Sequence, residues 1–292
     1  MRSIIKFLPL FILCSCHNND SLDANHKKTD LNKNHLRGTV VEVKQDYYKA
    51  EEKNGEIVPG ERSGENDENF LSKYDKQGNL IEKNTYYHDG SLFSKTAFTF
   101  DDAGNVIVEN CSNADGTLSY KKKYNYFDNY KMRADLSYKA DGSLYAIDTV
   151  EFDEKGNELN HKGYNMNGKR NAIIINKYDK GGNVLEKADD SDGRQFNTIY
   201  KHDRKGNIIE EISYFHYLSP PDNHDTIKYS RKIRYDLNDI PVEVLYIDLS
   251  GKSQPSKTTF NHVYDKQNNW IKKTIYTDNI PEAVIVRQIK YQ

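Results

Sequence analysis

The sequence predicts an all-β protein: an antiparallel meander of β-hairpins that forms an elongated, curled sheet. One observation is a motif of an aromatic residue, Asp, two further residues, Gly and Asn. Its aromatic residue recurs at a constant step of 26 residues, at Tyr74, Phe100, Tyr126, Phe152 and Tyr178. The other is a second turn signal, Asp-Gly or Asn-Gly, midway through the units. A repeat folds against its neighbours, so its period and not the chain length predicts the architecture.

Each unit of about 26 residues has two turns and two strands. The midway pairs are Asp89-Gly90, Asp115-Gly116, Asp141-Gly142 and Asn167-Gly168. Gly accepts the positive φ that tight hairpin turns require, and Asp or Asn bonds the turn backbone. About nine residues lie between turns, enough for strands of roughly 30 Å. We expect about sixteen strands of this kind. The third unit is irregular, because Phe127-Asp128-Asn129-Tyr130 shifts the Asp and lacks the Gly.

One face of every second strand is predicted to be buried. Leu and aromatic residues share a parity along these strands, and residues two apart lie on the same face. The matching positions are Leu92, Phe98 and Phe100, then Leu118, Tyr120, Tyr124 and Tyr126, then Leu144, Val150 and Phe152.

Residues 1–16 predict a lipoprotein signal peptide. Arg2 and Lys6 are basic, and the apolar run through Leu13 is too short for a transmembrane helix. The run ends in Leu13-Cys14-Ser15-Cys16, which resembles the bacterial lipobox. The resemblance implies that Cys16 is lipidated and begins the mature chain; an ordinary cleaved signal is the alternative. Because more than one acyl chain anchors a protein stably, we expect a lipid-anchored protein of the cell envelope, at the outer membrane.

The remaining chain divides into three parts. Residues 17–37 are almost wholly polar and predict a flexible tether. Residues 38–73 hold an N-terminal strand, beginning at Gly38, and an irregular hairpin with an insertion at 51–69. Residues 74–292 hold the repeats and end in an alternating segment, Ala283–Tyr291, which predicts a closing edge strand. Its Arg and Lys residues would discourage further pairing.

Charge and cysteine content exclude several partners. Loss of Arg2 and Lys6 with the signal changes the formal charge from −2 to −4, which is too mild and of the wrong sign to indicate nucleic acid. Once Cys14 is removed and Cys16 is lipidated, Cys111 stands alone. We therefore expect neither an internal disulfide nor a zinc site of paired cysteines.

No catalytic, cofactor or metal site is predicted. The nucleophile, phosphate-binding, dinucleotide and zinc-protease motifs are absent. The repeated Asp75, Asp101, Asp153, Asp179 and Asp203 are interpreted as turn-capping residues and not as calcium ligands, because they precede Gly-Asn in hairpin spacing. The acidic run Asp189–Gly193 lacks the Glu that closes a calcium loop. His216 and His224 flank the Pro220-Pro221 loop without a third ligand nearby.

From Tyr74 to Gln292 the repeats resemble the YD repeats of the Rhs family, and the repeat lipoproteins of bacterial envelopes that share them. The resemblance rests on the recurring Tyr-Asp-x-x-Gly-Asn that alternates with Asp-Gly. The chain departs from Rhs repeats in having Asn after the turn Gly, a longer period of 26 and no toxin-like C-terminal module. The resemblance implies a twisted sheet of hairpins, with glycan or envelope-protein binding.

The sequence therefore favours a non-enzymatic envelope lipoprotein whose sheet is a binding or scaffolding surface. One alternative is glycan capture for nutrient uptake; another is a hydrolase with residues in the 215–225 loop. Aromatic residues could serve glycan binding or simply pack in the sheet, and the candidates are Tyr214, Phe215, Tyr217, Tyr229 and Trp270. An exposed groove of rings would favour sugars, and converging His and Asp side chains would favour catalysis.

Overall fold

A computed structural model describes residues 29–64, 68–191, 194–217 and 227–292. It contains one short helix, α1 (Asp30–Lys33), and one antiparallel sheet. The strands are β1 (Val40–Lys53), β2 (Glu56–Arg62), β3 (Phe70–Tyr74), β4 (Leu80–Tyr86), β5 (Leu92–Phe100), β6 (Val106–Asn113), β7 (Leu118–Phe127), β8 (Met132–Lys139), β9 (Leu144–Phe152), β10 (Glu158–Asn165), β11 (Arg170–Tyr178), β12 (Val184–Ser191), β13 (Arg194–His202), β14 (Ile208–Tyr217), β15 (Ile227–Tyr235), β16 (Pro241–Asp248), β17 (Ser256–Tyr264), β18 (Trp270–Thr277) and β19 (Ile280–Tyr291).

The meander is confirmed, but the sheet closes on itself. Strands β3 to β19 each pair with the next in chain order. β1 pairs with β19 along one edge, where Val43 lies opposite Ile289, and with β3 along the other, where Val43 lies opposite Ser72. β1 and β3–β19 thus form an 18-strand barrel, and β2 pairs with β1 beyond the end of β3.

The predicted elongated, curled sheet with an edge strand at Ala283–Tyr291 was therefore wrong. β19 is bonded on both sides, to β18 and to β1. The physical reason is that β1 lies between the first and the last repeat strands and bonds one along each of its two edges, which satisfies both edges of the sheet. The described residues hold 19 strands: sixteen of them, β4–β19, follow Tyr74 in the repeat region, and β1–β3 come before them.

The turns fall on two rims. Because successive strands run in opposite directions, every aromatic-Asp turn lies at the end where β1 begins and β19 ends. We call this end, which also carries α1, the YD rim; its turns span 75–79, 101–105, 128–131, 153–157, 179–183, 203–207, 236–240 and 265–269. The midway turns lie at the opposite end, the DG rim, and include 87–91, 113–117, 139–143, 165–169 and 248–251.

The repeated aspartates cap the turns of the YD rim, as predicted. Asp75 Oδ1 accepts hydrogen bonds from the backbone N–H groups of Gln77 and Asn79, both at 2.9 Å, and Oδ2 accepts from Asn79 Nδ2 at 3.0 Å. Gly78 adopts φ 86°, which few other residues tolerate. The same bonds recur at Asp153, Asp179 and Asp203, so these carboxylates act as local turn anchors.

The two faces of the barrel wall differ in crowding. Side chains converge on the concave face of a closed sheet and diverge on the convex face, so the more buried set lines the interior. That set includes Val150 (0% exposed), Ser213 (3%), Thr198 (4%) and Asp135 (6%). Cross-strand registers place the predicted aromatic face there as well, since Tyr124 lies opposite Asp135 and Phe98 opposite Glu109.

Lysine–glutamate ladders cover the convex face. Glu82 bonds Lys73 at 2.9 Å and Lys95 at 2.8 Å, and Glu210 bonds Lys201 at 2.6 Å. The three lysine side chains are 43–60% exposed. The outside of the barrel therefore carries charged ladders, together with exposed apolar side chains such as Ile175, Ile199 and Val263.

Part of the predicted tether is an ordered clasp on the YD rim. Residues 29–39, here called the clasp, place Leu36 (7% exposed) against Val40, Val43 and Tyr74. Leu31 N–H donates to the Gly78 carbonyl at 3.1 Å. The last residues of the predicted tether thus contact the barrel, because Leu31 and Leu36 find an apolar site; residues 17–28 lie outside the described ranges.

The barrel is wide enough to be hollow. Eighteen strands at about 4.8 Å spacing give a perimeter of about 86 Å and a diameter of about 27 Å before strand tilt is counted. Barrels of this strand number leave an aqueous channel inside the ring of side chains. Among the described residues, no helix has the length and apolar character needed to cross a membrane.

Candidate binding site on the inner wall

The candidate site surrounds Trp270, the only tryptophan in the sequence. The Trp270 side chain is 7% exposed, at the start of β18. The Arg287 guanidinium carbon lies 3.5 Å from the Trp270 ring centroid and the Lys273 ammonium lies 4.4 Å from it. Two cations therefore contact one aromatic ring, on the adjacent strands β18 and β19.

A β-bulge brings these side chains to one face. Trp270 and Lys273 are three residues apart, which in a regular strand would put them on opposite faces. The register between β17 and β18 shifts between Val263 and Tyr264, so Tyr264 lies opposite Trp270 while Val263 lies opposite Lys272. Bulges re-aim side chains in this way, and Trp270 consequently faces the interior with Lys273 and Arg287.

Arg287 has no acidic partner among the residues that the structure describes. Its Nε donates to Gln45 Oε1 at 2.9 Å, and no carboxylate of the described residues lies within the 4.0 Å of an ion pair. Burial without a counterion lowers the pKa of Arg287 to about 9. A cation–π contact contributes about 0.5–2 kcal/mol, whereas removing an ion from water costs several kcal/mol. The stacking on Trp270 alone does not offset that cost.

His262 adds a second unsatisfied group. Its ring lies 6.0 Å from the Trp270 ring, and both of its nitrogens are buried without a hydrogen-bond partner among the described residues. Burial, together with the positive charge of Lys273, lowers the pKa of His262 to about 4. His262 is therefore neutral at pH 7, and its two ring nitrogens are enclosed polar atoms beside Trp270.

Two other arginines of the inner wall have carboxylate partners. Arg133 Nη2 donates to Asp135 Oδ2 at 2.8 Å and its guanidinium stacks 5.3 Å from the Tyr124 ring. Arg231 bonds Glu211 at 2.5 Å. Arg287 differs from these two arginines, because it is half-buried and has no counterion in the described ranges.

The Glu109 carboxylate is hydrogen-bonded by two tyrosine hydroxyl groups. It accepts hydrogen bonds from Tyr120 at 2.7 Å and from Tyr124 at 2.6 Å. Burial and this bonding raise the pKa of both tyrosines, so both hydroxyls stay protonated at pH 7 and donate to the Glu109 carboxylate.

An open depression of about 380 Å³ on the outside of the barrel is a weaker candidate for a ligand site than the surroundings of Trp270. It is lined by Lys44, Asp46, Tyr48, Arg62, Tyr86 and Gly90. Arg62 Nη2 bonds Asp46 at 2.7 Å and its Nη1 bonds the Tyr87 carbonyl at 3.0 Å. Its principal charges are thus already paired.

The structure separates the aromatic residues that the sequence singled out. Phe215 and Tyr229 flank Phe196 on the inner wall, with ring centroids 6.2 and 6.4 Å from it. Tyr214 lies on the convex face, where the Lys228 ammonium stands 5.0 Å from its ring. The side chain of Tyr217 lies outside the described set. The five rings therefore do not form one groove.

The predicted hydrolase loop cannot be placed, because residues 218–226 and the side chain of His216 lie outside the described part of the chain. Cys16 also lies outside it. Cys111 is a buried free thiol. In the part of the chain that the structure describes, no group of three or more His, Cys, Asp and Glu residues could hold a metal ion.

The sequence contained a signal for Arg287 that the edge-strand interpretation missed. In Val284-Ile285-Val286-Arg287-Gln288-Ile289, Arg287 shares its parity with Ile285 and Ile289. It therefore falls on an apolar face of the strand. A charge that only prevents pairing at a sheet edge does not need to lie on that face.

No known protein-family model matches the chain, and no curated protein matches it in sequence. Among solved structures, a porin-like protein from Bacteroides uniformis is similar with a TM-score of 0.44 and 9% identity, over 86% of this chain and 96% of that one. A porin-like protein from Bacteroides vulgatus gives a TM-score of 0.38 and 12% identity, over 87% and 99%. The Photorhabdus luminescens Tc holotoxin pore gives 0.32 and 12%, over 70% of this chain and 14% of that one. TM-scores below 0.5 establish neither a common fold nor a common function.

Proposed function

We propose that the protein is a non-enzymatic lipoprotein of the bacterial cell envelope whose barrel binds a ligand on its inner wall. The observation that carries the proposal is Arg287, a cation on the inner wall that is stacked on Trp270 and has no counterion among the described residues. Burying an uncompensated charge is destabilising. A ligand-binding role for Arg287 would explain why the protein has such a charge. The YD-like repeats serve in this proposal as the scaffold that holds the site.

The convex face supports attachment through lipid on Cys16 and not through the barrel wall. A lysine or arginine that faces lipid near the bilayer midplane costs about 2–4 kcal/mol, and ladders such as Lys73–Glu82–Lys95 would place many charges there. The clasp lies on the YD rim. In this proposal that rim faces the outer membrane and the DG rim faces away.

Glycan capture is the second candidate. The observation that favours it is the group of rings Phe196, Phe215 and Tyr229 on the inner wall, with spacings of 6.2 and 6.4 Å. Aromatic faces stack on apolar faces of sugar rings. This candidate differs from the first only in the kind of ligand.

The anchor is tested by metabolic labelling with a fatty acid. Full-length protein should carry the label, and Cys16→Ala should not. Equal labelling of both chains would refute the lipid anchor.

Binding is tested with the full chain in detergent on a glycan array and in pull-downs from envelope extracts. We expect retention of a ligand that is lost in Trp270→Ala, on the inner wall, and kept in Tyr214→Ala, on the convex face. Loss in Tyr214→Ala alone would place binding outside the barrel and refute the proposal. Turnover of an ester or glycoside that disappears in His224→Ala would establish the enzymatic alternative.

A further inference from the structure

We infer that the inner-wall site at Arg287 binds an oxyanionic group, of the carboxylate class found in acidic sugars. This inference rests on the proposed function and specifies its ligand chemistry. A neutral sugar would leave the positive charge of the guanidinium without a counterion. A cationic ligand would be repelled by Arg287 and Lys273 together. The counterion that the described part of the wall does not supply would then come from a ligand that enters the barrel.

The free part of the guanidinium has the geometry for an oxyanion. Nε is bonded to Gln45, whereas the two terminal nitrogens have no partner among the described residues and are not fully enclosed. Two parallel N–H groups in a planar fork match the two oxygens of a carboxylate. The fork therefore remains available on the side that faces the lumen.

Gln45 fixes the direction of the fork. The Gln45 side chain is 8% exposed, and its Nε2 donates to the Glu68 carbonyl at 2.9 Å. With the amide nitrogen committed in this way, the amide oxygen points to Arg287 Nε. Gln45 thus acts as a positioning residue, and Trp270 supplies the flat surface on which the guanidinium rests.

The titratable neighbours of Arg287 carry both signs of charge. Lys273 on β18, His262 on β17 and Tyr74 on β3 lie close to Arg287, and Tyr47 on β1 follows Gln45 on the same face. The nearby acidic groups act on these neighbours: Glu68 and Glu282 on Tyr47, and Asp236 on His262. Burial raises the pKa of Tyr47 and of Tyr74 to about 12, so neither hydroxyl is ionised at pH 7. Arg287 itself loses its proton as the pH rises through about 9.

The single tryptophan makes a direct test possible. Fluorescence of the full chain in detergent is titrated with sodium glucuronate, with sodium sulfate and with glucose, at constant ionic strength maintained with sodium chloride. We expect a saturable change with glucuronate and none with glucose. The sulfate arm decides between two supporting results: saturation with sulfate indicates a general oxyanion site, and its absence indicates a site selective for carboxylates.

Variants separate the site from the fold. Arg287→Gln should weaken glucuronate binding at least tenfold, and Arg287→Lys should give an intermediate affinity because an ammonium cannot form the fork. Arg234→Gln is the matched control, since Arg234 is a 66%-exposed arginine of the convex face, and its affinity should equal wild type. Thermal unfolding verifies that each variant is folded.

The wild-type chain provides a second measurement that needs no substitution: its affinity for glucuronate should fall as the pH rises above about 9. The absence of saturation by glucuronate, an equal response to glucose, or unchanged affinity in Arg287→Gln would each refute the inference. A ligand captured by the full chain that depends on Trp270 but not on Arg287 would refute only this inference and leave the proposed function intact.

Discussion

Replacing Asn269 by Ala should loosen the junction that closes the barrel at the YD rim. Asn269 is 2% exposed and its side chain bonds two distant parts of the chain. Oδ1 accepts from the Arg37 backbone N–H at 2.8 Å, and Nδ2 donates to the Arg37 carbonyl and to the Tyr291 hydroxyl, both at 2.8 Å. One amide therefore holds the clasp and the end of β19 to the turn between β17 and β18.

The expected loss follows from these bonds. A hydrogen bond between neutral groups contributes about 1 kcal/mol net, and a buried group left unpaired costs about 1–3 kcal/mol. Removing three bonds should reduce the free energy of unfolding by about 3 kcal/mol or more. Asn183 occupies the equivalent turn position, where Nδ2 bonds only Asp179 at 2.9 Å and Oδ1 has no partner in the described structure. Asn183→Ala should thus cost about 1 kcal/mol or less.

The two variants are compared by equilibrium urea denaturation of the full chain, with the m-value fitted for each. The prediction is a difference of about 2 kcal/mol in the free energy of unfolding between Asn269→Ala and Asn183→Ala. Hydrogen exchange of the clasp amides should also accelerate in Asn269→Ala alone. Equal losses of stability would mean that the clasp does not help to close the barrel, and would refute the reasoning.

Three further predictions concern the barrel wall. Hydrogen bonds from Lys95 and Lys73 lower the pKa of Glu82 to about 2, below its unfolded value of about 4.3. The contribution of Glu82 to stability is therefore present above about pH 4.3 and is lost as the pH falls towards about 2. Glu82→Gln should flatten the acid limb of a stability profile measured in urea, and an unaltered limb would contradict the assignment. Val150→Ala, at a fully buried position, should cost about 2 kcal/mol in thermal unfolding, against less than about 0.5 kcal/mol for Val263→Ala at a 52%-exposed one. Lys201→Ala, on the convex ladder, should cost less than about 1 kcal/mol and less still at high salt; a loss above about 2 kcal/mol would show that this ladder is not solvated.

The turns could be predicted from the sequence because their causes are local. Asp179 and Asn183 lie four residues apart, and the bond between them forms within a single turn. Where the repeat degenerates, local geometry adapts: Asp128, Asn129 and Tyr130 all take positive φ, of 51°, 51° and 63°, in place of a glycine. The aromatic parity was equally local, since each strand carries its own alternation.

Closure and the candidate site were not predictable in the same way. A period of 26 residues specifies which strand follows which, but not whether the first strand meets the last. The bond between Arg287 and Gln45 joins residues 242 positions apart, and no spacing in the repeats points to it. The orientation of Trp270 depends on a bulge, and a bulge reverses the parity on which a sequence-based assignment of faces relies.

The placement of both ends of the described chain on one rim has a consequence for how such a barrel can change in size. Each repeat unit is a hairpin that leaves the YD rim and returns to it, so a whole unit could be duplicated or lost without moving the clasp or the seam between β1 and β19. Two extra strands would lengthen the circumference by about 10 Å and widen the bore by about 3 Å. The uneven steps of 24, 33 and 29 residues in the later units alter turn lengths and leave this rule intact. The width of the bore can therefore change from one such barrel to another without any change in how the chain is attached at the YD rim.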